Sequence, residues 1–347
     1  MTTLNFPHDI AYVQNLARTI APCAVKKKDH HFNLGIGLST RCNFRCPMCY
    51  YHSETGDFVE PRDMPLSLLD AILNQLPTLA NITVGLEGEP FCHPSIFQAL
   101  DMMAQKSDRI SIVSNGSLLT PSVCRTLSAY PITLFALSID AADTAAYAKF
   151  RVGGNLQTFK KHGACLAEYF GDAVRLHTVM FAENLDSIFQ MPQVAAEMGI
   201  GHISFQQLRP HAAALRRGIT PSDHFELESC LNRLIENAKK YNIVLHFDSF
   251  FANKTIMQML SDISETTSVV SVQPHVGKQC PYIFNFTSIL SDGRIFPCCG
   301  DFRPAEVGDY SFDGIFNHDY LKSLRTLCLQ SIPMAPCSLC RQDLMDY

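Results

Sequence analysis

The sequence predicts an α/β fold: a full or partial barrel of parallel strands and helices, followed by a small cysteine-rich module. Three observations carry this. Short apolar runs alternate with amphipathic stretches between about residue 30 and residue 250. The pattern then gives way to polar and β-branched residues over 261–272. From Gly277 on, cysteine, glycine, proline and aromatic residues dominate.

The expected strands are 32–38, 82–86, 109–113, 132–138, 174–181, 202–206 and 243–247, each a short apolar run. Between them the 3.6-residue period predicts helices over 66–76, 95–104, 156–170, 186–198 and 225–241. The last begins after Pro221-Ser222-Asp223, a proline followed by capping residues. Strands separated by helices form parallel βαβ units. Six or seven such units suit a full or partial (β/α) barrel, with a doubly wound open sheet as the alternative. In both, reactive groups gather past the carboxyl ends of the strands. The resulting plan is an N-terminal extension over 1–30, a barrel over 31–262, a linker over 263–276 and a module over 277–347. The module has weak periodicity and few core residues, and such modules are held by a metal.

With 347 residues, 47% of them hydrophobic and 18% charged, the chain can bury a large core and is not disordered. Its net charge of −5 and a longest basic run of Lys26-Lys27-Lys28 give no face for a phosphate backbone, so nucleic acid is not an expected partner. No stretch approaches the ~20 apolar residues of a membrane span, and Met1-Thr2-Thr3-Leu4-Asn5 lacks the features of a signal peptide. A cytoplasmic protein with no membrane partner is the expectation. Fourteen cysteines in a reducing compartment point to metal or iron–sulfur chemistry rather than disulfides.

Just past the first strand, Cys42, Cys46 and Cys49 follow a Cys-x3-Cys-x2-Cys spacing on one tight loop. A structural zinc site takes four protein ligands, whereas three leave a position open for an outside ligand. Cys thiolates are also the usual holders of iron–sulfur clusters. In the tail, Cys280, Cys298, Cys337 and Cys340 form a second set, with Cys298 and Cys299 adjacent and a hairpin expected at Ser291-Asp292-Gly293. Four cysteines make a closed site, and chemistry alone allows zinc or a cluster there.

The first loop resembles the hallmark of the radical S-adenosylmethionine (SAM) enzymes. The resemblance implies a partial (β/α)6 TIM-type barrel in which Cys42, Cys46 and Cys49 hold a [4Fe-4S] cluster whose open iron binds SAM. Met48 stands where that family often has an aromatic residue beside the adenine. Glu87-Gly88-Glu89-Pro90, past the second strand, is similar to the family's Gly-Gly-Glu-Pro, with Glu89 as the carboxylate that would meet the SAM ammonium. Ser114-Asn115-Gly116 is similar to its Thr-Asn-Gly turn, and Ser138-Ile139-Asp140 to its Ser-x-Asp. By the same resemblance, Asn115, Ser138 and Arg151 contact SAM. Taken alone, each of these is an ordinary turn or helix start. Gln206 and Arg209 share the rim of the sixth strand as candidates for adenine or substrate contact, and His177 in the fifth strand is read as a core residue.

The tail pattern Cys280-x12-Gly293-x4-Cys298 followed by Cys337-x2-Cys340 resembles the SPASM/twitch auxiliary-cluster extension of some radical SAM enzymes. It lacks the further cysteines of the full SPASM form. The resemblance implies one auxiliary [4Fe-4S] cluster on Cys280, Cys298, Cys337 and Cys340, with Cys299 able to replace Cys298 or face the active site. It further implies reductive SAM cleavage to a 5′-deoxyadenosyl radical, an external electron donor of flavodoxin or ferredoxin type, and hydrogen abstraction from a small polar metabolite. Net oxidation is expected, with the auxiliary cluster accepting an electron. Epimerisation or decarboxylation, with Cys92 or Cys299 as hydrogen donor, and peptide maturation are the alternatives. A non-enzymatic zinc or iron–sulfur protein is the remote one.

Overall fold

The computed structural model describes residues 14, 23–26, 32–49, 60–208, 214–215, 217–247, 254–272, 282–297 and 304–330. Its strands are β1 (Asn33–Ile36), β2 (Asn81–Val84), β3 (Ile110–Ser114), β4 (Ile132–Ser138), β5 (Val174–Met180), β6 (His202–Gln207), β7 (Val244–Phe247), β8 (Val270–Val272), β9 (Phe286–Ile289) and β10 (Ile295–Phe296). They form one sheet in the order β10-β9-β1-β2-β3-β4-β5-β6-β7-β8. Each neighbouring pair is parallel except β9 with β10. Consecutive order from β1 to β8 lacks the reversal of a doubly wound sheet, so the fold is the barrel type. It is open, since β10 and β8 are edges among the described residues.

The first helices are α1 (Leu66–Gln75), α2 (Ile96–Ala104), α3 (Pro121–Leu127), α4 (Thr144–Phe150) and α5 (Leu156–Phe170). Capping explains where several begin. Asp143 Oδ1 accepts from Ala146 N at 2.8 Å and Asn155 Oδ1 from Thr158 N at 2.9 Å, each satisfying a first-turn N–H. The helix expected over 186–198 is two, α6 (Leu185–Ile188) and α7 (Met191–Glu197), because Pro192 has no N–H for the carbonyl a turn earlier. Next comes α8 (His224–Tyr241), capped by Asp223 and ended by left-handed Asn242.

Where it is described, the expected linker over 263–276 is helix and strand. Residues 254–272 form α9 (Lys254–Thr266) and then β8, paired with β7 through Leu245 and Val270. Ile256 and Leu260 of α9 are buried, and the polar residues that masked the period lie on its outer side. The consecutive parallel series therefore runs one strand beyond the seven expected.

The tail is also richer in core than its composition suggested. After α10 (Tyr282–Asn285), β9 lies parallel to β1, with Asn33 opposite Phe286 and Ile36 opposite Ile289. Further along are α11 (Phe312–Phe316) and α12 (Asp319–Leu329). Tyr320, Leu321, Leu324 and Leu327 of α12 are fully buried, and Phe32 before β1 packs on Phe312 and Phe316 at 4.8 and 4.6 Å between ring centroids. Barrel and tail thus share one core.

Alternation along the strands separates two environments. Leu34, Ile36, Val84, Ile112, Leu137, Leu176, Phe205 and Phe247 are buried against the helices. The opposite face carries Ser138, Arg175, His177, His202, Ser204, Gln206 and His246, all only half-buried. In register, Ser138, His177, Ser204 and His246 make one polar row across β4 to β7. The concave side of the sheet is a polar, accessible lumen. No helix among the described residues is long and apolar enough to cross a membrane.

Candidate active site

Cys42, Cys46 and Cys49 lie on the loop that leaves β1 at the carboxyl end of the sheet. Cys46 is buried and the other two are half-buried. Cys49 N–H donates to the Cys46 carbonyl at 3.0 Å, which closes a tight turn. Phe44 N–H points at Cys42 Sγ at 3.4 Å. Phe44 itself is 1% exposed and anchors the loop. Beneath it lies Gly153-Gly154: Gly153 has φ +96°, and a Cβ there would stand 2.9 Å from Asn43 O. On Gly154 a Cβ would stand 2.8 Å from the Phe44 ring. Arg45 N–H donates to Val152 O at 2.8 Å. The Arg151–Asn155 segment is therefore the seat of the cysteine loop.

The loop after β2 grips it from the other side. Gly88 N–H donates to Ser39 O at 2.8 Å and Glu89 N–H to Arg41 O at 2.7 Å. A Cβ on Gly88 would fall 2.1 Å from Arg41 O, so only glycine allows this approach. Glu89 departs from the reading that aimed its carboxylate at a ligand. Its side chain is 2% exposed and turned inward, accepting from Ser114 Oγ at 2.8 Å, Asn115 N at 2.7 Å and Phe91 N at 3.3 Å. Three donors from two loops converge on it, and burial still pushes its pKa up to about 7. Glu89 ties the β2 loop to the β3 turn.

Asn115 is likewise occupied. Its Nδ2 donates to Asn43 Oδ1 at 2.9 Å and lies 3.9 Å from Cys42 Sγ, while its Oδ1 accepts from Ser117 N and Oγ. The turn is closed by Gly116 at φ +74° and held by His162, whose Nδ1 must carry the proton it gives to Gly116 O at 2.9 Å. Cys92 sits 3.9 Å from Asn43 Oδ1, on the same side as Cys42. Met48 is half-buried against the core.

From β4, Asp140 is fully buried and forms an ion pair with Arg151 Nε at 2.6 Å, and it also accepts from Val179 N at 2.9 Å. Arg151 also hydrogen-bonds the Cys46 thiol. A buried guanidinium is thus fixed between Asp140 and the middle cysteine. Tyr147 lies in the same buried group, and among the described residues its hydroxyl has no hydrogen-bond partner. His177, from the row below, is hydrogen-bonded by Gln206, and burial lowers its pKa. Ser138 stands beside His177 in register. Asn43, Tyr147 and His162 were missed in the sequence; each is one unremarkable residue whose role comes from folding.

Glu87, in place of the first glycine of that motif, accepts from Ser291 N at 2.6 Å, and Arg62 pairs with Asp292 at 3.1 Å. The hairpin between β9 and β10 therefore docks on the same rim. Cys280, Cys298, Cys299, Cys337, Cys340 and Arg209 lie outside the described residues.

The donor set fits an iron–sulfur cluster. Three thiols on one loop can each bind one iron of a four-iron cube and leave the fourth open. Burial holds the Cys42 and Cys46 thiols up at about 11, so iron must displace their protons.

Residues 36–193 match the family model described as the radical SAM superfamily. A tungsten-containing aldehyde ferredoxin oxidoreductase cofactor-modifying protein of Pyrococcus furiosus is 31% identical over 32% of this chain and 32% of its own length. An AdoMet-dependent heme synthase of Methanosarcina barkeri is 22% identical over 75% of this chain and 74% of its own. The subtilosin biosynthesis protein AlbA of Bacillus subtilis is 25% identical over 48% and 37%. The chain thus spans only about a third of the first and third of these relatives. Among solved structures, Streptococcus suis SuiB bound to S-adenosylmethionine has a TM-score of 0.59 at 16% identity, covering 85% of this chain and 65% of that one. Native anSMEcpe with bound AdoMet has a TM-score of 0.61 at 17% identity, covering 89% and 87%. The cysteine loop, the strand-end motifs that seat it and the family match agree: residues 36–193 carry a radical SAM domain.

Proposed function

We propose that the protein oxidises a small polar metabolite such as a sugar, aminocyclitol or nucleoside, using SAM as the radical source. The carrying observation is the accessible polar lumen that opens under the cysteine loop, with Arg151 fixed at the junction by Asp140. When bound, the cluster and SAM supply a one-electron cleavage that yields a hydrogen-abstracting carbon radical. Cys42, Cys46 and Cys49 would hold the cluster. Arg151 places a positive charge beside it, suited to a carboxylate or ribose oxygen. Glu89, Asn115 and Gly88 hold the loop in place, and Ser138, His177 and Gln206 offer hydrogen bonds to what lies below. The alignment with a heme synthase over three quarters of this chain agrees with a small molecule.

The electron left on the substrate would pass to an auxiliary [4Fe-4S] cluster on Cys280, Cys298, Cys337 and Cys340, and a flavodoxin or ferredoxin would reduce the first cluster. Iron and acid-labile sulfide on anaerobically reconstituted protein test this. About eight of each is expected, falling to about four in a Cys337→Ala, Cys340→Ala variant that still cleaves SAM but forms no oxidised product. About four irons in the wild type would remove the electron acceptor. That outcome would shift the reading to redox-neutral chemistry, for which the thiol of Cys92 beside the loop is the candidate hydrogen donor. A peptide substrate is the second reading, favoured by the alignment with AlbA.

A further inference from the structure

The base of the lumen holds chemistry that the site above does not use. A cavity of about 1030 Å³ opens at the amino ends of the strands, and its lining includes Asn33, Asn81, Asp108, Arg109, Ser111 and Arg175. Arg175 is the residue that needs explaining. Its Nε is buried without a hydrogen-bond partner, and among the described residues it forms no ion pair. A guanidinium in such a place ordinarily has a carboxylate or phosphate against it.

Two imidazoles stand next to it. His202 Nδ1 and His246 Nε2 are 3.1 Å apart, with ring centroids at 5.2 Å. One ring must donate and the other accept, so at least one is neutral. Arg175 precedes Leu176, which pairs with Ile203, so it stands beside His202 at the amino ends of β5 and β6, and both rings are pushed below the ordinary histidine value, by burial first and by Arg175 as well. Among the described residues Asp172 acts on His202, and Asp108 lines the cavity with Arg109 and Arg175. Whichever ring accepts in this pair keeps its other N–H free, so that N–H and the Arg175 guanidinium are the donors that can face an anion.

We propose that Arg175, His202 and His246 form an anion-binding subsite in the lumen that receives a carboxylate or phosphate group of the substrate. This rests on the reading that the substrate enters the lumen, and it narrows the substrate to an anionic one. Arg175 and His202 stand one strand step below His177 and Ser204, while His246 lies in their row, so the anionic group sits against the underside of that row. The neutral part of the molecule then points up toward the cysteine loop. An uncharged sugar or cyclitol brings Arg175 no counter-charge, whereas a sugar phosphate, a sugar acid or a nucleotide does.

The test uses holoprotein with oxidised clusters, titrated separately with inorganic phosphate and acetate while the ring signals of His202 and His246 are followed by NMR. Saturable shifts of both rings are expected with at least one anion, weakened about tenfold or more in Arg175→Gln and largely kept in Arg175→Lys. A response to phosphate alone assigns a phosphate ester, and a response to acetate alone a carboxylate. No saturable shift with either anion, or the same shift in Arg175→Gln as in the wild type, overturns the subsite. SAM cleavage is measured on the same wild-type sample. Its absence would count against the radical reading and leave the anion response to be judged by itself.

Discussion

Arg151 and Asp140 set the electrostatics of the site. Asp140 has no exposure and its ion pair supplies its counter-charge, so removing Arg151 strands a buried carboxylate. Arg151→Met is expected to cost ~3–5 kcal/mol in denaturant unfolding, with part recovered in the double variant with Asp140→Asn. A loss below ~1 kcal/mol would mean that the pair is not buried as described. His246 gives a pH signature. Its folded value of about 4 lies below the ordinary 6.5, so between those values the unfolded chain binds more protons than the folded one. Stability contributed by neutral His246 is full above about pH 6.5 and is lost as pH falls toward 4. Thermal scans across that window should show a shallower slope for His246→Gln than for the wild type. The sequence located these residues unevenly. Cys42, Cys46 and Cys49 were legible because ligand spacing is local. The inward turn of Glu89 was not, since its acceptors are filled by Ser114 and Asn115, some 25 residues further on.

At the scale of elements, close approach of two loops decides whether the cysteines are held. Gly88 lies with its missing Cβ against the Arg41 carbonyl at 2.1 Å, a backbone atom that cannot move without moving the cysteine loop. Gly163, on α5, would place a Cβ 2.0 Å from the Cε of Met198, the flexible end of a side chain. Gly88→Ala should therefore lower iron bound per chain to well under half of wild type, while Gly163→Ala leaves it near wild type. Equal iron in the two variants would contradict the account of the β2 loop. The strands and the long helices α5 and α8 were readable because apolar period and caps coincide in them. The period failed where it was short or interrupted: Pro192 split one helix, and α9 was hidden among serines and threonines although Ile256 and Leu260 face inward.

Over the whole molecule, the sheet joins what the sequence divided. β9 of the tail runs beside β1, its hairpin meets Glu87, and α12 buries its stripe in the common core. Cysteine content signalled a separate metal-held module, but packing of Phe32 on Phe312 and Phe316 depends on contacts across some 280 residues, which no local pattern encodes. The described parts of the tail are thus built into the same sheet and core as the barrel. The central claim is that the loop of Cys42, Cys46 and Cys49 cleaves SAM. Its most direct test is anaerobic incubation of the reduced, reconstituted protein with SAM, with methionine and 5′-deoxyadenosine quantified against Cys42→Ala, Cys46→Ala and Cys49→Ala. The account predicts both products from the wild type and neither above background from any variant. Wild-type protein with a full complement of iron that forms no 5′-deoxyadenosine, or a variant that forms as much as the wild type, would contradict it.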